Sequence, residues 1–260
     1  MRVCDLFRGV SWDSVRWRLL GGAGKRRLKE PARAPGTPKS QLVNLLLHFF
    51  ESPAYLEIGL DFGRTFEAVT APHRVGVDPR PRFDLRNLPP GTRVSAESSD
   101  TFFRIEPPGS LFDVVLVDGL HEAQQALRDV SNSLTRLRKG GFVVIDDVFP
   151  HDRYAALPDQ RLAYQERVAQ TGRRDRRWQG DVYRLLPLLV GSGSDIDLRI
   201  FDVGGERVAV IRKAYEHSFL PPSLQSGLGE HFRGFDDFSE WWPHQADLET
   251  RDVSSVQEVF

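Results

Sequence analysis

The stretch Tyr55-Leu56-Glu57-Ile58-Gly59-Leu60-Asp61-Phe62-Gly63-Arg64-Thr65 constrains the fold more than any other part of the chain. A short apolar run ends in an acid, breaks into glycines and passes into a helix-like segment, Arg64 to Ala71. That order predicts strand, tight turn, helix. Glycine at 59 and 63 lets the main chain turn sharply and lets a ligand lie against it. The unpaired N–H groups at the start of the following helix then face that ligand. A second apolar run, Arg74-Val75-Gly76-Val77, ends in Asp78. A carboxylate at such a strand tip can accept from both hydroxyls of a ribose. The pattern predicts a nucleoside pocket at the carboxyl edge of a parallel sheet.

The rest of the chain supplies the sheet. A helix is expected from Ser40, as its cap, through Glu51, with Leu42, Leu45, Leu46, Phe49 and Phe50 at helical spacing. Strands are expected at Ala54–Gly59, Arg74–Asp78 and Thr92–Ala96. Phe112-Asp113-Val114-Val115-Leu116-Val117-Asp118 is almost continuously apolar, as a strand covered on both faces must be. A helix over Glu122–Arg138 should stop at Lys139-Gly140-Gly141, before a fifth strand, Phe142 to Asp147. Residues 150–177 are polar, arginine-rich and without period, and read as an insertion or lid. A further helix is expected near Asp181–Leu189, and Leu198–Asp202 with Val208–Arg212 flank Gly204-Gly205 as a hairpin. Five rounds of strand and helix followed by a hairpin predict an α/β fold: a doubly wound, seven-stranded, mostly parallel sheet with one antiparallel strand.

Size and charge bound the rest. At 260 residues and 29.5 kDa the chain can bury one sizeable core. A net charge of −1 gives no global field toward nucleic acid, and none is expected as a partner. The single cysteine, Cys4, permits no intrachain disulfide and suits a reducing compartment, so a cytoplasmic location is expected. The basic N-terminus lacks an uninterrupted apolar core, so no signal peptide is expected. No run approaches the roughly 20 apolar residues of a membrane span. Three regions are expected: a basic arm and linker at 1–39, the doubly wound body at 40–215, and an acidic tail at 216–260. Leu6, Phe7, Val10, Trp12, Val15, Trp17 and Leu19 could form a short amphipathic helix in the arm. Phe232, Phe235, Phe238, Trp241 and Trp242 look like anchors in the tail. The two arms could dock on their own body, on each other, or on a second subunit in a homo-oligomer.

With these blocks in place, residues 40–215 resemble the class I S-adenosylmethionine-dependent methyltransferases. The carriers are Glu57-Ile-Gly-Leu-Asp-Phe-Gly63, Asp78, the Phe112–Asp118 strand, and Leu137-Arg-Lys-Gly-Gly141 before Phe142-Val-Val-Ile-Asp146. The resemblance implies that Glu57, Gly59, Gly63 and Asp118 line the cofactor, S-adenosylmethionine. It puts Asp78 on the ribose and Ser99 and Asp100 beside the adenine. More narrowly, Val117-Asp-Gly-Leu-His121 with Val144-Ile-Asp-Asp147 resembles small-molecule O-methyltransferases of the catechol and macrocin type. That resemblance implies a divalent metal such as Mg²⁺ on Asp118, Asp146 and Asp147. It also implies a small hydroxylated acceptor, such as a sugar or secondary metabolite.

The chain departs from the catechol pattern at His121, where that family has a lysine base. Three carboxylates at neighbouring strand tips repel one another unless something positive lies between them. His121 could take a proton from a substrate hydroxyl, its ordinary pKa being suited to neutral pH. The plainer alternatives stay open: Asp146 and Asp147 as turn caps, His121 as a loop residue, Asp181 as a helix cap, and His151, Asp152, Arg153 and Tyr154 as solvated loop. So do two other functions, a non-catalytic nucleoside-binding module and an NAD-dependent dehydrogenase. Against the latter, the turn reads Gly-x-x-x-Gly rather than Gly-x-Gly-x-x-Gly.

Overall fold

A computed structural model describes residues 36–191, 197–215, 220 and 250–256. Cys4, the proposed amphipathic helix of the arm, and Phe232, Phe235, Phe238, Trp241 and Trp242 of the tail lie outside the described residues.

In chain order the elements are α1 (Pro38–Leu47), β1 (Ala54–Ile58), α2 (Arg64–Ala68), β2 (His73–Val77), β3 (Thr92–Ser95), α3 (Ser99–Ile105), β4 (Phe112–Val117), α4 (Ala123–Arg136), β5 (Leu137–Ile145), α5 (Gln160–Thr171), α6 (Leu185–Gly191), β6 (Asp197–Asp202), β7 (Arg207–Arg212) and β8 (Thr250–Asp252). The strands form one sheet in the order β3-β2-β1-β4-β5-β7-β6-β8. The central strands β1 to β5 pair in parallel, and β7 runs antiparallel between β5 and β6. This is the expected doubly wound fold, with eight strands described rather than seven. The extra one, β8, pairs parallel to β6 and comes from the stretch read as an acidic tail.

Strand alternation splits the core into two layers. Tyr55, Val114, Leu116, Phe142 and Val144 face α1 and α2, where they meet Leu42, Leu46 and Phe66. Leu56, Ile58, Val115, Val117, Val143 and Ile145 face the opposite way, against α4 and α6 through Ala126, Leu127, Val130, Leu186 and Leu189. Both layers are buried, and both faces of β4 are covered along its whole length. The sheet is thus held rigidly from both sides, and its carboxyl edge can carry exposed polar groups at fixed spacing.

Three local expectations need correction. The first helix begins at Pro38 and is capped by Thr37, whose Oγ1 accepts from the Ser40 N–H at 3.0 Å. Ser40 is buried in the first turn instead, its hydroxyl donating back to the Thr37 carbonyl at 2.7 Å. Proline suits the first helical position because no intrahelical partner is lost there, and that moves the start upstream. Second, Lys139-Gly140-Gly141 does not end α4. The helix stops at Arg136, and β5 already runs through these residues. The ammonium of Lys213, 4 % exposed, donates to the carbonyls of Leu134 and Leu137 at 2.9 Å each and so takes over the role expected of glycine. Third, residues 150–177 are not without regular structure: they contain α5, capped by Asp159, whose carboxylate accepts from the Leu162 N–H at 2.7 Å.

Candidate active site

The carboxyl ends of β1, β2 and β4 open on a cavity of about 1170 Å³. Gly59 to Phe62 line it, whereas the expected Gly63 lies outside the lining, where a Cβ would meet the Phe83 ring at 2.7 Å. Gly59 sits at φ +88°, and a Cβ there would lie 1.9 Å from the Asp118 carbonyl oxygen, so only glycine lets the tips of β1 and β4 meet. Asp61 shares the left-handed region at φ +46° and forms an ion pair with Arg82.

Asp78 braces this turn. Its Oδ2 accepts from the N–H groups of Leu60 at 2.8 Å and Asp61 at 2.9 Å, and its Oδ1 accepts from the Arg80 N–H at 2.7 Å. Oδ2 is fully engaged, and Oδ1 keeps one lone pair for a ligand hydroxyl. Glu57 stands on the cavity wall, 2 % exposed, with the Tyr55 hydroxyl donating to Oε2 at 2.6 Å. Burial pushes its carboxyl up to about 8, against the Tyr55 hydrogen bond and with help from Asp118.

Ser99 also lines the cavity. Asp100 lies beside it, outside the lining, where its carboxylate accepts from Gln125 Nε2 at 3.2 Å and pairs with Arg128 at 3.5 Å. Gln125 and Asp129, one turn apart on α4, complete that wall. Sequence reading missed both, because on a helix they look like ordinary solvated positions.

A smaller cavity of about 190 Å³ adjoins the first, and Lys39, Asp118, His121 and Trp178 line both. Asp118 and Asp146 follow directly on β4 and β5, whose pairing places them side by side. Asp147 takes φ +61°, an uncommon conformation for a side-chain-bearing residue. Its Oδ2 stands 3.0 Å from His121 Nε2, and Asp118 Oδ1 stands 3.9 Å from the same nitrogen. His121 Nδ1 faces the Trp178 carbonyl oxygen at 3.2 Å, so Nδ1 carries a proton and donates it there. The contact between Nε2 and Asp147 therefore needs a second proton. Burial lowers the His121 pKa and raises that of Asp147. Burial, and then the neighbouring Asp146, also raise Asp118 above the ordinary carboxylate range.

Trp178 stacks on the His121 ring at 4.8 Å between centroids and 20° between planes, and its indole N–H donates to the Leu157 carbonyl at 2.6 Å. Gly180 permits this approach. At φ +64°, its Cβ would fall 1.9 Å from the His121 carbonyl oxygen. Asp181 is a cap, though of another helix than expected: its Oδ1 accepts from the Ala123 N–H at the start of α4, at 2.7 Å.

The positive group required among the three acids is part of the chain. The Lys39 ammonium donates to Asp118 Oδ2 at 2.6 Å and also to Asp146 Oδ2. Lys39 Nζ thus lies between Asp118 and Asp146, where the resemblance implies a divalent ion. Among the described residues, a different trio offers one ligand atom each within 4.8 Å: Asp118, His121 and Asp147. Lys39 had been read as the end of a linker, since nothing local marks a lysine that reaches strand tips far along the chain.

Residues 56–148 match the model of a family described as a methyltransferase domain. This stretch is a methyltransferase domain. The segment spans β1 through β5 and holds Glu57, Gly59, Asp78, Asp118, His121, Asp146 and Asp147, so the expected methyltransferase is borne out. No curated protein sequence matches the chain. Among solved structures, the chain is similar to the O-methyltransferase TomG from Streptomyces achromogenes, crystallised with S-adenosylmethionine (SAM), at 19% identity over 71% of this chain and 83% of that one, TM-score 0.45. It is similar to an O-methyltransferase from Bacillus cereus in complex with SAH at 16% identity over 70% and 84%, TM-score 0.44. It is also similar to the methyltransferase MycE of the mycinamycin pathway, crystallised with Mg and SAH, at 18% identity over 69% and 49%, TM-score 0.43. Likeness at this level carries no residue-by-residue correspondence. Among the described residues, no helix is long and apolar enough to cross a membrane.

Proposed function

We propose that the protein transfers a methyl group from S-adenosylmethionine to a hydroxyl of a small molecule, such as a sugar or other secondary metabolite. The observation that carries this reading is the cleft itself: a glycine turn braced by Asp78, opening on a cavity that also reaches His121 and Asp118. A nucleoside lying on that turn would meet bare main chain below, the free lone pair of Asp78 at its ribose, and Ser99 near its base. Bound there, S-adenosylmethionine supplies an electrophilic methyl, which an acceptor oxygen takes by in-line displacement as the thioether departs.

The chain's own residues supply the acceptor side. His121 Nε2 faces the second cavity beside Asp118 and Asp147, where an incoming hydroxyl would displace Asp147 and pass its proton to Nε2. Trp178 holds the ring in place by stacking, and its carbonyl fixes the tautomer. Asp118, raised by burial and by Asp146, stands between the cofactor side and the acceptor side. Much of the rate then comes from holding oxygen and methyl in line.

Calorimetry with S-adenosylmethionine and with NAD tests the cleft: heat from the first alone is expected, and heat from NAD alone overturns the reading. Transfer of tritiated methyl across a panel of polyols and phenols tests the reaction, a binding protein giving heat without transfer. His121→Ala should lower kcat by about 100-fold, as general bases commonly contribute. Wild-type kcat across neutral pH would remove its role.

A further inference from the structure

The acidic cluster at the ends of β4 and β5 has a cation built into it. Lys39 is held in place before its side chain is considered. Pro38 starts α1, Thr37 caps it, and the Thr37 hydroxyl lies 3.1 Å from that of Thr65 at the start of α2. From that turn the side chain runs inward, only 20 % exposed, and its ammonium meets carboxylates from two adjacent strand tips. Ordering a lysine side chain this far costs close to the full rotamer entropy of its stem, and taking its charge out of water costs more. Two convergent carboxylates offset both. Burial works against the ammonium, yet Asp146 and Asp118 together outweigh it and keep it charged.

We propose that Lys39 is the resident cation of this site, standing where the sequence resemblance implies a divalent metal, and that it acts as a positioning residue for Asp118 and Asp146. The oxygens it uses, Oδ2 of each aspartate, are those a bridging ion would need. An ion bonded to both at the usual ~2.0–2.1 Å for magnesium would overlap the ammonium nitrogen, so occupancy by the two is exclusive. A monovalent, covalently tethered charge keeps the acids together without acting as a Lewis acid on the acceptor. The proton transfer then falls to His121. That catalytic consequence rests on the methyltransferase reading, whereas the cation assignment does not.

Manganese(II), used as the probe metal, is titrated into the full chain by calorimetry and electron paramagnetic resonance, in wild type, Lys39→Arg and Lys39→Met. Wild type and Lys39→Arg are expected to bind no ion below millimolar concentration. Lys39→Met, which keeps the stem and removes the charge, is expected to bind at least about tenfold more tightly, or about 1.4 kcal/mol. Micromolar binding by wild type overturns the proposal, and so does a Lys39→Met variant that binds no better than wild type. Melting of the wild type with and without manganese decides the point if Lys39→Met does not fold: an unchanged Tm supports the assignment, and a rise overturns it. S-adenosylmethionine titrated into the same samples separates the two readings, since absent heat defeats the methyltransferase while the manganese comparison still stands.

Discussion

At the scale of single residues, two carboxylates carry the clearest expectations. Asp78 accepts three main-chain N–H groups and keeps one lone pair facing the cavity. Asp78→Ala should weaken S-adenosylmethionine binding by about tenfold or more by calorimetry, through both the lost acceptor and a slackened turn. Glu57 has its folded pKa raised from 4.5 to about 8, chiefly by burial. An acid raised in this way binds more protons folded than unfolded between those two values. It therefore adds stability that is complete at low pH and is lost as pH climbs through about 8. Without ligand, Tm should fall across that window. Glu57→Gln, which mimics the protonated acid, should flatten the fall; an equal slope in both proteins would contradict the assignment. The acids themselves were legible in the sequence because each ends an apolar run. The protonation of Glu57 was not, since it depends on what packs around β1.

At the scale of elements, the segment read as a lid is tied down by one buried arginine. Arg167 of α5 is 1 % exposed. Its Nε and Nη2 donate to the two Asp152 oxygens at 3.1 and 2.9 Å, and its Nη1 donates to the carbonyls of Asp175 and Arg177 at 2.8 and 2.9 Å. One guanidinium thus joins α5, the loop after β5 and the segment leading to Trp178. Asp152 was read as a loop acid; its pKa is lowered by Arg167 and by the Ala155 and Tyr154 N–H groups, against a burial that works the other way. Arg167→Ala removes the guanidinium donor of these carbonyls and the countercharge of Asp152, which keeps only the Tyr154 and Ala155 N–H groups. Unfolding in urea should show a loss of about 2–3 kcal/mol, at or below the low end of what breaking a buried charged pair costs. The stacking of Trp178 on His121 should loosen with it, seen as a red-shifted tryptophan emission. Periodicity could not reveal this, because α5 buries little more than Ala163 and Arg167 and so lacks an apolar stripe.

At the scale of the whole molecule, the sheet acts as a ruler. Parallel pairing of β1 with β4 and of β4 with β5 fixes the spacing of Gly59, Asp118 and Asp146, and two buried core layers keep that spacing from drifting. A ligand spanning the strand tips should therefore stabilise the fold as a unit. S-adenosylmethionine at 100 times its Kd is expected to add about 2.7 kcal/mol, a Tm rise of roughly 5–10 °C for a chain of this size. An unchanged Tm at saturation would mean that the cleft does not take it.

Each strand of the central sheet, its glycine turn and its terminal acid could be read from the residues in order, because burial on both faces and chain reversal impose patterns within a few neighbours. The partners of those acids could not. Lys39 meeting Asp118 and Asp146, Lys213 closing α4, and Arg167 tying α5 to two other segments all join residues whose separation along the chain carries no period. Charge pairing has no repeat to betray it; only folding brings those groups within reach of one another.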